Sequence, residues 1–232
     1  MTKKHFYSND EVFADLCMKI EKLVYMPGDP LFENTLCSIY EVSRNIIRTV
    51  ITRLKERELV DVYPQRGTFV SLIDIGLIED IIFLRESMEQ KVIDIIMADD
   101  KKCALIAKEM LQKAEKMESC LEKEDYAYFY DLDSEIHHCM LEAAGHASVM
   151  RLFGDTYIHF LRWRNLEVRT KERYEEICKQ HRELISALLE KKGERAKAIL
   201  HMHLDTSYRY YQDFKKDYPQ YFYPEKAPVI TG

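Results

Sequence analysis

Residues 43–70 read SRNIIRTVITRLKERELVDVYPQRGTFV, and this stretch decides how the first part of the chain folds. Ser43 is a typical N-cap residue, and the apolar residues after it recur every three or four positions, as on the buried face of a helix. Residues 59–63 and 68–71 alternate in the manner of β-strands, and PQRG at 64–67 is a turn sequence between them. The sequence therefore predicts a helix followed by a β-hairpin.

Two more helices are predicted upstream of this stretch. The first covers roughly residues 8–25, and it is stopped by Pro27 and Gly28. A short helix near residues 33–40 follows it. Three helices followed by a hairpin are the element order of a winged helix-turn-helix.

The longest part of the chain contains no proline. No proline occurs between Pro64 and Pro219, and the short connections between the predicted helices imply antiparallel neighbours in a bundle. The sequence thus predicts a mostly α protein. An N-terminal winged helix-turn-helix over residues 1–72 precedes an all-helical antiparallel bundle over 73–217 and an irregular Pro/Tyr-rich tail over 218–232. The predicted bundle helices cover about 73–99, 100–122, 124–144, 146–167, 170–191 and 194–216.

Composition narrows the class of protein. A net charge of −6 over 232 residues argues against general binding of nucleic acids, so any DNA contact must be local. The six cysteines form no CxxC pair, and no signal peptide or long apolar run is apparent. We therefore expect reduced thiols in a cytoplasmic protein with no membrane partner. Cys139 and Cys178 lie near histidines in the sequence, but they are weak candidates for metal ligation because each falls off the apolar stripe of its helix.

The predicted third helix carries an uneven charge. In a helix-turn-helix, the second helix of the motif enters the major groove, and its first turns reach base edges. Arg44 and Arg48 lie there, four residues apart, and arginine suits bidentate contact with guanine. Arg66 and Gly67 at the hairpin tip are predicted to approach a phosphate or the minor groove. The alternative is that the arginines form a solvated face. The basic residues of the helix, against the acid Glu56, are Arg44, Arg48, Arg53, Lys55 and Arg57.

Four polar residues interrupt apolar stripes in three of the predicted bundle helices. They are Asp133, His137, His181 and His203. A buried carboxylate without a partner is costly, so we expect the four side chains to meet around one divalent metal ion. An imidazole-rich set suits Zn²⁺, Ni²⁺, Fe²⁺ or Mn²⁺. A lone histidine on such a stripe is more often a hydrogen-bonded core residue, but three of them with an aspartate favour the metal.

The first part of the chain resembles the DNA-binding domain of GntR-family transcriptional regulators. The likeness covers about residues 10–71, and it implies that Arg44 and Arg48 contact operator bases while Gly67 lies against DNA. Two glycines of the family pattern are replaced here, by Glu41 and Glu58. The residues that carry the resemblance are Met26-Pro27-Gly28, Leu36, residues 42–48 (VSRNIIR), Leu54, Leu59-Val60 and residues 64–70 (PQRGTFV).

The second part resembles the effector domain of the FadR branch of that family, the FCD domain, over about residues 75–210. The resemblance implies that Asp133, His137, His181 and His203 hold a divalent metal and that a small carboxylate effector binds over it. Arg85 is a candidate partner for that carboxylate. Its alternative is an ion pair with Glu89, four residues further along the helix. The residues that carry the resemblance are Leu84-Arg85, Glu89, residues 132–137 (LDSEIH), Ala143-Ala144-Gly145, residues 180–182 (QHR), Ile185, Ala198 and His203-Leu204.

These features predict a ligand-responsive transcriptional regulator, expected to be a repressor and not an enzyme. Its partners would be a double-stranded DNA operator, a small organic or sugar acid, and a second copy of the chain, because such motifs usually read paired half-sites. One alternative is a regulator whose metal is only structural. A metal-dependent hydrolase is the other alternative, since an Asp/His₃ site with an open position can activate water. Against the hydrolase, Glu135 is the nearest acid in sequence and points away from Asp133 round the helix.

Overall fold

The computed structural model describes residues 7–123, 125–167 and 171–224. Within these ranges the protein is mostly helical, with one small sheet near its N-terminus. Two separate apolar cores are present, one in the N-terminal part and one in the helical part that follows. No described helix is both long and apolar enough to cross a membrane.

The N-terminal part is a winged helix-turn-helix, as predicted. Ser8 and Glu11 form a capping box at the first helix, each side chain accepting a hydrogen bond from the other's backbone N–H. Ser43 caps the third helix by accepting from the Ile46 N–H at 3.4 Å. The elements are α1 (Asn9–Glu21), β1 (Pro30–Leu31), α2 (Glu33–Tyr40), α3 (Arg44–Glu56), β2 (Val60–Tyr63) and β3 (Gly67–Val70).

Two details of this part differ from the prediction. Helix α1 ends at Glu21 and not near residue 25, because Leu23 takes a left-handed backbone conformation with φ of 57°. Strand β1 was not predicted at all. It pairs antiparallel with β3, so the sheet order is β1-β3-β2. Two residues are too few to show the alternation by which strands are predicted.

Glu41 and Glu58 both have left-handed backbone conformations, with φ of 52° and 57°. These are the two positions where the family pattern has glycine. A side chain costs about 1–2 kcal/mol in this region, whereas glycine adopts it freely. At both positions the chain therefore carries a side chain in a conformation that glycine would adopt without strain.

Replacing Glu58 with Gly is expected to stabilise the protein by up to about 1 kcal/mol, because the gain in backbone conformation exceeds the extra entropy that glycine loses on folding. Urea unfolding followed by circular dichroism measures the change. The control is Ala14→Gly on the exposed face of α1, which should destabilise by about 1 kcal/mol. Equal destabilisation by both changes would contradict the strain at residue 58.

The helical part is a bundle, and most of its helices end close to where the sequence predicts. Asp74 caps α4 by accepting from the Gly76 and Leu77 amides, and Asp125 caps α6 by accepting from Tyr128. The helices are α4 (Ile75–Met97), α5 (Asp100–Lys123), α6 (Tyr126–Ala143), α7 (Tyr157–Glu167), α8 (Lys171–Leu189) and α9 (Gly193–Asp217).

The predicted helix over 146–167 is two elements. Residues Ala147–Thr156 form a 3₁₀ segment, and α7 begins only at Tyr157. Gly154 interrupts the segment with φ of 53° and ψ of −136°, a conformation outside the helical region. Helical periodicity does not distinguish 3₁₀ from α geometry over so short a run.

The stretch predicted as an irregular tail contains one short turn and one isolated bridge up to residue 224. Pro219–Tyr221 form a 3₁₀ turn. Ile73 then pairs with the chain on both sides of Phe222, donating to the Tyr221 carbonyl at 2.9 Å and accepting from the Tyr223 N–H at 3.1 Å. Residues 225–232 of the predicted tail lie outside the described residues.

Candidate metal centre, ligand cavity and DNA-binding surface

The structure brings together all four residues predicted to hold a metal. Asp133 and His137 lie one turn apart on α6, while α8 supplies His181 and α9 supplies His203. Each offers one ligand atom, and these atoms all lie within 4.8 Å of one another. The Asp133 Oδ1 atom is 3.4 Å from the His181 Nε2 atom and 3.8 Å from the His203 Nε2 atom. All four side chains are buried.

Neighbouring acceptors orient two of the imidazoles. The His137 Nδ1 atom lies 2.5 Å from a carboxylate oxygen of Glu89, and the His203 Nδ1 atom lies 2.9 Å from the amide oxygen of Gln180. With its proton held on Nδ1, each ring presents the lone pair of Nε2 toward the cluster. Such outer acceptors are typical of histidines that ligate a metal.

His181 provides the sharpest test of whether a metal fits. Its side chain is fully buried, yet neither ring nitrogen has a hydrogen-bond partner among the described residues. An unsatisfied buried polar atom costs about 1–3 kcal/mol. An ion coordinated by the Nε2 atom, which already faces Asp133, would satisfy one of the two. The donor set therefore fits a divalent ion that prefers imidazole and carboxylate ligands.

Burial keeps the cluster in the protonation state that a metal requires. Desolvation lowers the pKa of His181 to about 4 and lowers that of His203 well below its usual value. Burial alone would raise the pKa of Asp133, but the Arg164 guanidinium and the three imidazoles outweigh it and hold that pKa well below its ordinary range. At neutral pH the two histidines are neutral and the aspartate is ionised.

These shifts predict how stability depends on pH in the metal-free protein. The pKa values of His181 and His203 are lower in the folded than in the unfolded state, so the unfolded chain binds more protons below about pH 6.5. Stability should therefore fall as the pH drops from about 6.5 toward 4. Melting temperatures measured with chelator at several pH values test this. Replacing both histidines with Leu should flatten the slope in this window, and an unchanged slope would contradict the assignment.

A small cavity adjoins the cluster and is rich in arginine. Its volume is about 30 Å³, which is roughly the volume that one water occupies in the liquid. Arg85 lines it and also pairs with Glu89 at 3.0 Å, so both proposed roles for this arginine are compatible. Any organic ligand must move side chains to enter. The lining residues include Arg85, Arg164, Arg173, Phe160 and Ser207.

Arg164 and Arg173 are two charged residues of the cavity that the sequence did not assign to it. An Arg164 Nη2 atom lies 2.5 Å from an oxygen of Asp133. Arg173 pairs with Glu176 at 3.0 Å, and its guanidinium lies 4.8 Å from the centroid of the Tyr210 ring. In the sequence, Arg164 follows the chain's one tryptophan, and this position is compatible with a side chain that faces either solvent or the pocket. A short helix with charge on several faces gives no periodicity that could decide it.

The other candidate ligands lie away from the cluster. The thiol of Cys139 donates to the Ile136 carbonyl, and Cys178 does not belong to the group of converging ligand atoms. Glu135 is exposed and pairs with Lys113 at 2.8 Å. Glu135 therefore points away from the candidate metal site, as its position on the helix predicts.

The residues predicted to contact DNA are all exposed. Arg44 is exposed on the first turn of α3, and Arg48 is exposed one turn later with its Nε atom 3.1 Å from Glu33. Arg66 is exposed at the hairpin tip, where its guanidinium lies over the Tyr63 ring. Gly67 follows with φ of 109°, a conformation that favours glycine.

Arg53 of α3 and Arg57, which follows the helix directly, have a structural role and are not part of the exposed set. The guanidinium groups of Arg53 and Arg57 lie 3.9 and 4.8 Å from the centroid of the Phe13 ring. Arg53 also pairs with Asp10, and Arg57 pairs with Asp155. Not every basic residue in this region is therefore available to DNA, because Arg53 and Arg57 pack against Phe13 of α1.

Two protein-family models match the chain. The model described as FCD domain matches residues 80–206, which is more than half of the chain. The model described as bacterial regulatory proteins, gntR family, matches residues 8–70.

Individual proteins agree with these matches. An HTH-type transcriptional regulator in an unstable DNA locus of Streptomyces ambofaciens is 27% identical over 94% of this chain and 91% of its own length. The HTH-type transcriptional repressor RspR of Escherichia coli is 23% identical over 84% of this chain and 85% of its own. A crystal structure of a GntR regulator from Rhodococcus sp. RHA1 has the same fold, with a TM-score of 0.69 and 19% identity over 87% of this chain and 96% of that one.

Proposed function

The chain belongs to the gntR family of bacterial regulatory proteins and carries an FCD domain, and from this premise we propose that it is a repressor whose metal centre responds to a small organic acid. The function of this family is ligand-responsive regulation of transcription. It is not a family of enzymes. The observation that carries the more specific proposal is the convergence of four buried ligand atoms beside an arginine-lined cavity. RspR, a relative along most of its length, is a repressor.

The metal would be held by Asp133, His137, His181 and His203. Zn²⁺, Ni²⁺, Fe²⁺ and Mn²⁺ all accept such a set. The bound ion would supply a Lewis-acidic position at which a carboxylate or hydroxy acid replaces water. The protein's contribution is to hold the ligands, through Glu89 and Gln180, and to exclude bulk water from the buried cluster.

Charge supports an anionic effector. The buried ion pairs beside the cluster, Arg85 with Glu89 and Arg164 with Asp133, are neutral in sum. A divalent ion would add two positive charges to this buried region, and burying uncompensated charge is costly. An organic acid would offset them and could accept charge-assisted hydrogen bonds from Arg85.

The DNA contacts would come from Arg44, Arg48, Arg66 and Gly67. We propose that the chain divides near residue 72 into the DNA-binding domain and the effector domain over 73–217. A homodimer would place two recognition helices on the paired half-sites of an operator. Because its target is chromosomal DNA, we place the protein in the cytoplasm.

A DNA-binding titration in the presence of acids tests the proposal. Acetate, glycolate, malonate, tartrate and gluconate are added in turn to the metal-loaded protein and its operator. At least one should weaken DNA binding, with a coupling of about 5–150-fold, and the same acid should have no effect on His203→Ala. A response that survives complete metal removal, or no response to any acid, would refute this mechanism.

A purely structural metal is the second candidate function of the site, and the cavity volume of about 30 Å³ favours it. In that case metal raises the melting temperature, but none of the five acids raises it further. For the sensory site, an acid at 100 times its dissociation constant adds about 2.7 kcal/mol of stability.

A further inference from the structure

One face of helix α7 contacts the winged helix-turn-helix. The His159 Nε2 atom lies 3.1 Å from the carbonyl of Arg57, which caps the C-terminus of the recognition helix α3. Arg162 donates to both the hydroxyl and the carbonyl of Ser71, directly after the last wing strand. One turn on, Asn165 donates to the Glu21 carbonyl at the end of α1 at 2.9 Å.

These contacts differ from the other polar links in the same region. Arg162 is fully buried and His159 is nearly so. In contrast, the ion pairs Lys22–Asp131 and Arg57–Asp155 are partly exposed, and such pairs contribute little to stability. The position of α3 relative to the bundle therefore depends strongly on α7.

The opposite face of α7 lines the ligand cavity. Arg164 follows Arg162 by two residues, which places it about 200° round the helix. Its guanidinium contacts Asp133. Together with Phe160, Arg164 lines the small cavity beside the metal cluster, called the inner cavity below. Trp163, the chain's one tryptophan, donates to the hydroxyl of Ser207, another lining residue.

Arg164 also borders a second, larger pocket. That pocket has a volume of about 310 Å³, at the lower end of ordinary ligand pockets. Glu21 and Lys22 at the end of α1 line it together with Asp131 and Ser134 of α6. Because Arg164 lines both spaces, moving its guanidinium away from Asp133 would open the inner cavity toward a pocket that the DNA-binding part itself helps to form.

A bound metal ion and a bound acid would each change the electrostatic environment of the Arg164 guanidinium. An ion coordinated by Asp133 would share the negative charge that now holds Arg164 and would repel the guanidinium. A ligand carboxylate would offer Arg164 a new charge-assisted partner. Both effects would weaken the ion pair between Arg164 and Asp133.

We propose that Arg164 is the side chain that an anionic effector displaces, and that α7 carries this displacement to the end of the recognition helix and the base of the wing. The inference rests on the proposed function, since it requires an acid to bind beside the metal. It adds the ligand-contacting residue and the element that couples the two sites. His159 and Arg162 are then positioning residues, because they act on DNA binding only through α3 and the wing.

Hydrogen exchange with an internal reporter tests the coupling. Wild type, Arg162→Gln and Asp155→Asn are loaded with Zn²⁺ and titrated with the five acids above. Calorimetry measures acid binding, and Trp163 fluorescence reports movement of α7. Exchange is followed at the hydrogen-bonded amides of residues 57–59 and Ser71. The Asp155→Asn change is the matched control, because it breaks the partly exposed Arg57–Asp155 link between the same two parts and Asp155 lines neither pocket.

In wild type and Asp155→Asn, a bound acid should change Trp163 fluorescence and speed exchange at these amides by about fivefold or more. In Arg162→Gln the acid should still bind and change the fluorescence, but exchange should no longer respond. An equal exchange response in Arg162→Gln would overturn the proposal. Should this variant not fold, His159→Phe replaces it, because His159 contacts the Arg57 carbonyl. Exchange at residues 57–59 should then no longer respond to the acid, and a response equal to that of wild type would overturn the proposal.

Failure of the inference can be told apart from failure of the proposed function. Acid binding by wild type with no change at residues 57–59 and Ser71, or with no change in Trp163 fluorescence, would overturn the role of α7 alone. No binding of any acid to the zinc-loaded protein would overturn the proposed effector site, and the inference with it.

Discussion

Replacing His181 with Ala should weaken metal binding by more than about 100-fold, since changes to outer-shell partners alone cost about 10–100-fold. His181 is the one ligand that α8 contributes to the cluster, so no neighbour can take its place. Wild-type protein should carry close to one divalent ion per chain, and the variant should lose nearly all of it on dialysis. Elemental analysis measures both.

Two other histidines serve as matched controls. His138 and His201 are exposed and pair with Glu142 and Glu86. Their replacement by Ala should leave the metal content unchanged. Equal metal loss in the control variants and in His181→Ala would refute the four-ligand site.

The effect of a His181→Leu change on the melting temperature should have opposite signs without and with metal. Without metal, both ring nitrogens of His181 are buried without a described partner, at a cost of about 1–3 kcal/mol each. His181→Leu should therefore melt at or above the wild-type temperature in chelator. With saturating metal it should melt below wild type, because only wild type gains the binding free energy. Destabilisation of equal size under both conditions would show that His181 is a packing residue only.

The double variant Arg44→Ala/Arg48→Ala should lose about 2–6 kcal/mol of specific DNA binding, if each arginine contacts a base and the two effects add. This corresponds to at least about a 30-fold higher Kd. Both side chains are exposed on the first two turns of α3, so neither loss would arise from unfolding. A titration with labelled operator DNA at fixed salt measures the change.

Lys108→Ala and Glu33→Ala are control variants for the same DNA-binding titration. Lys108 is exposed in the bundle, away from α3, and its loss should have little effect. Glu33 holds the Arg48 side chain at 3.1 Å and competes with DNA for it, so its removal should leave binding unchanged or tighten it. Wild-type affinity in the double variant would show that α3 is not the recognition helix.

Local pattern was sufficient for most of the fold. The cap at Ser43, the periodicity of α3 and the turn at residues 64–67 are interactions among near neighbours in sequence, and they predicted the winged helix-turn-helix that the structure shows. The errors fall where local pattern is ambiguous. Examples are the two-residue strand β1, the 3₁₀ segment Ala147–Thr156 and the end of α1 at Glu21.

The sequence by itself determined that four polar residues lie on apolar helix stripes, because periodicity indicates which face of a helix a residue occupies. That was enough to identify Asp133, His137, His181 and His203, which the structure brings together. Only the tertiary structure decided what lies against them. Glu89 and Gln180 at the imidazoles, Arg164 at Asp133, and His159 and Arg162 at the recognition helix and wing depend on how α7 and its neighbours pack. Such contacts join residues far apart in the chain. The residue pattern within one helix does not show which residues of other elements pack against it.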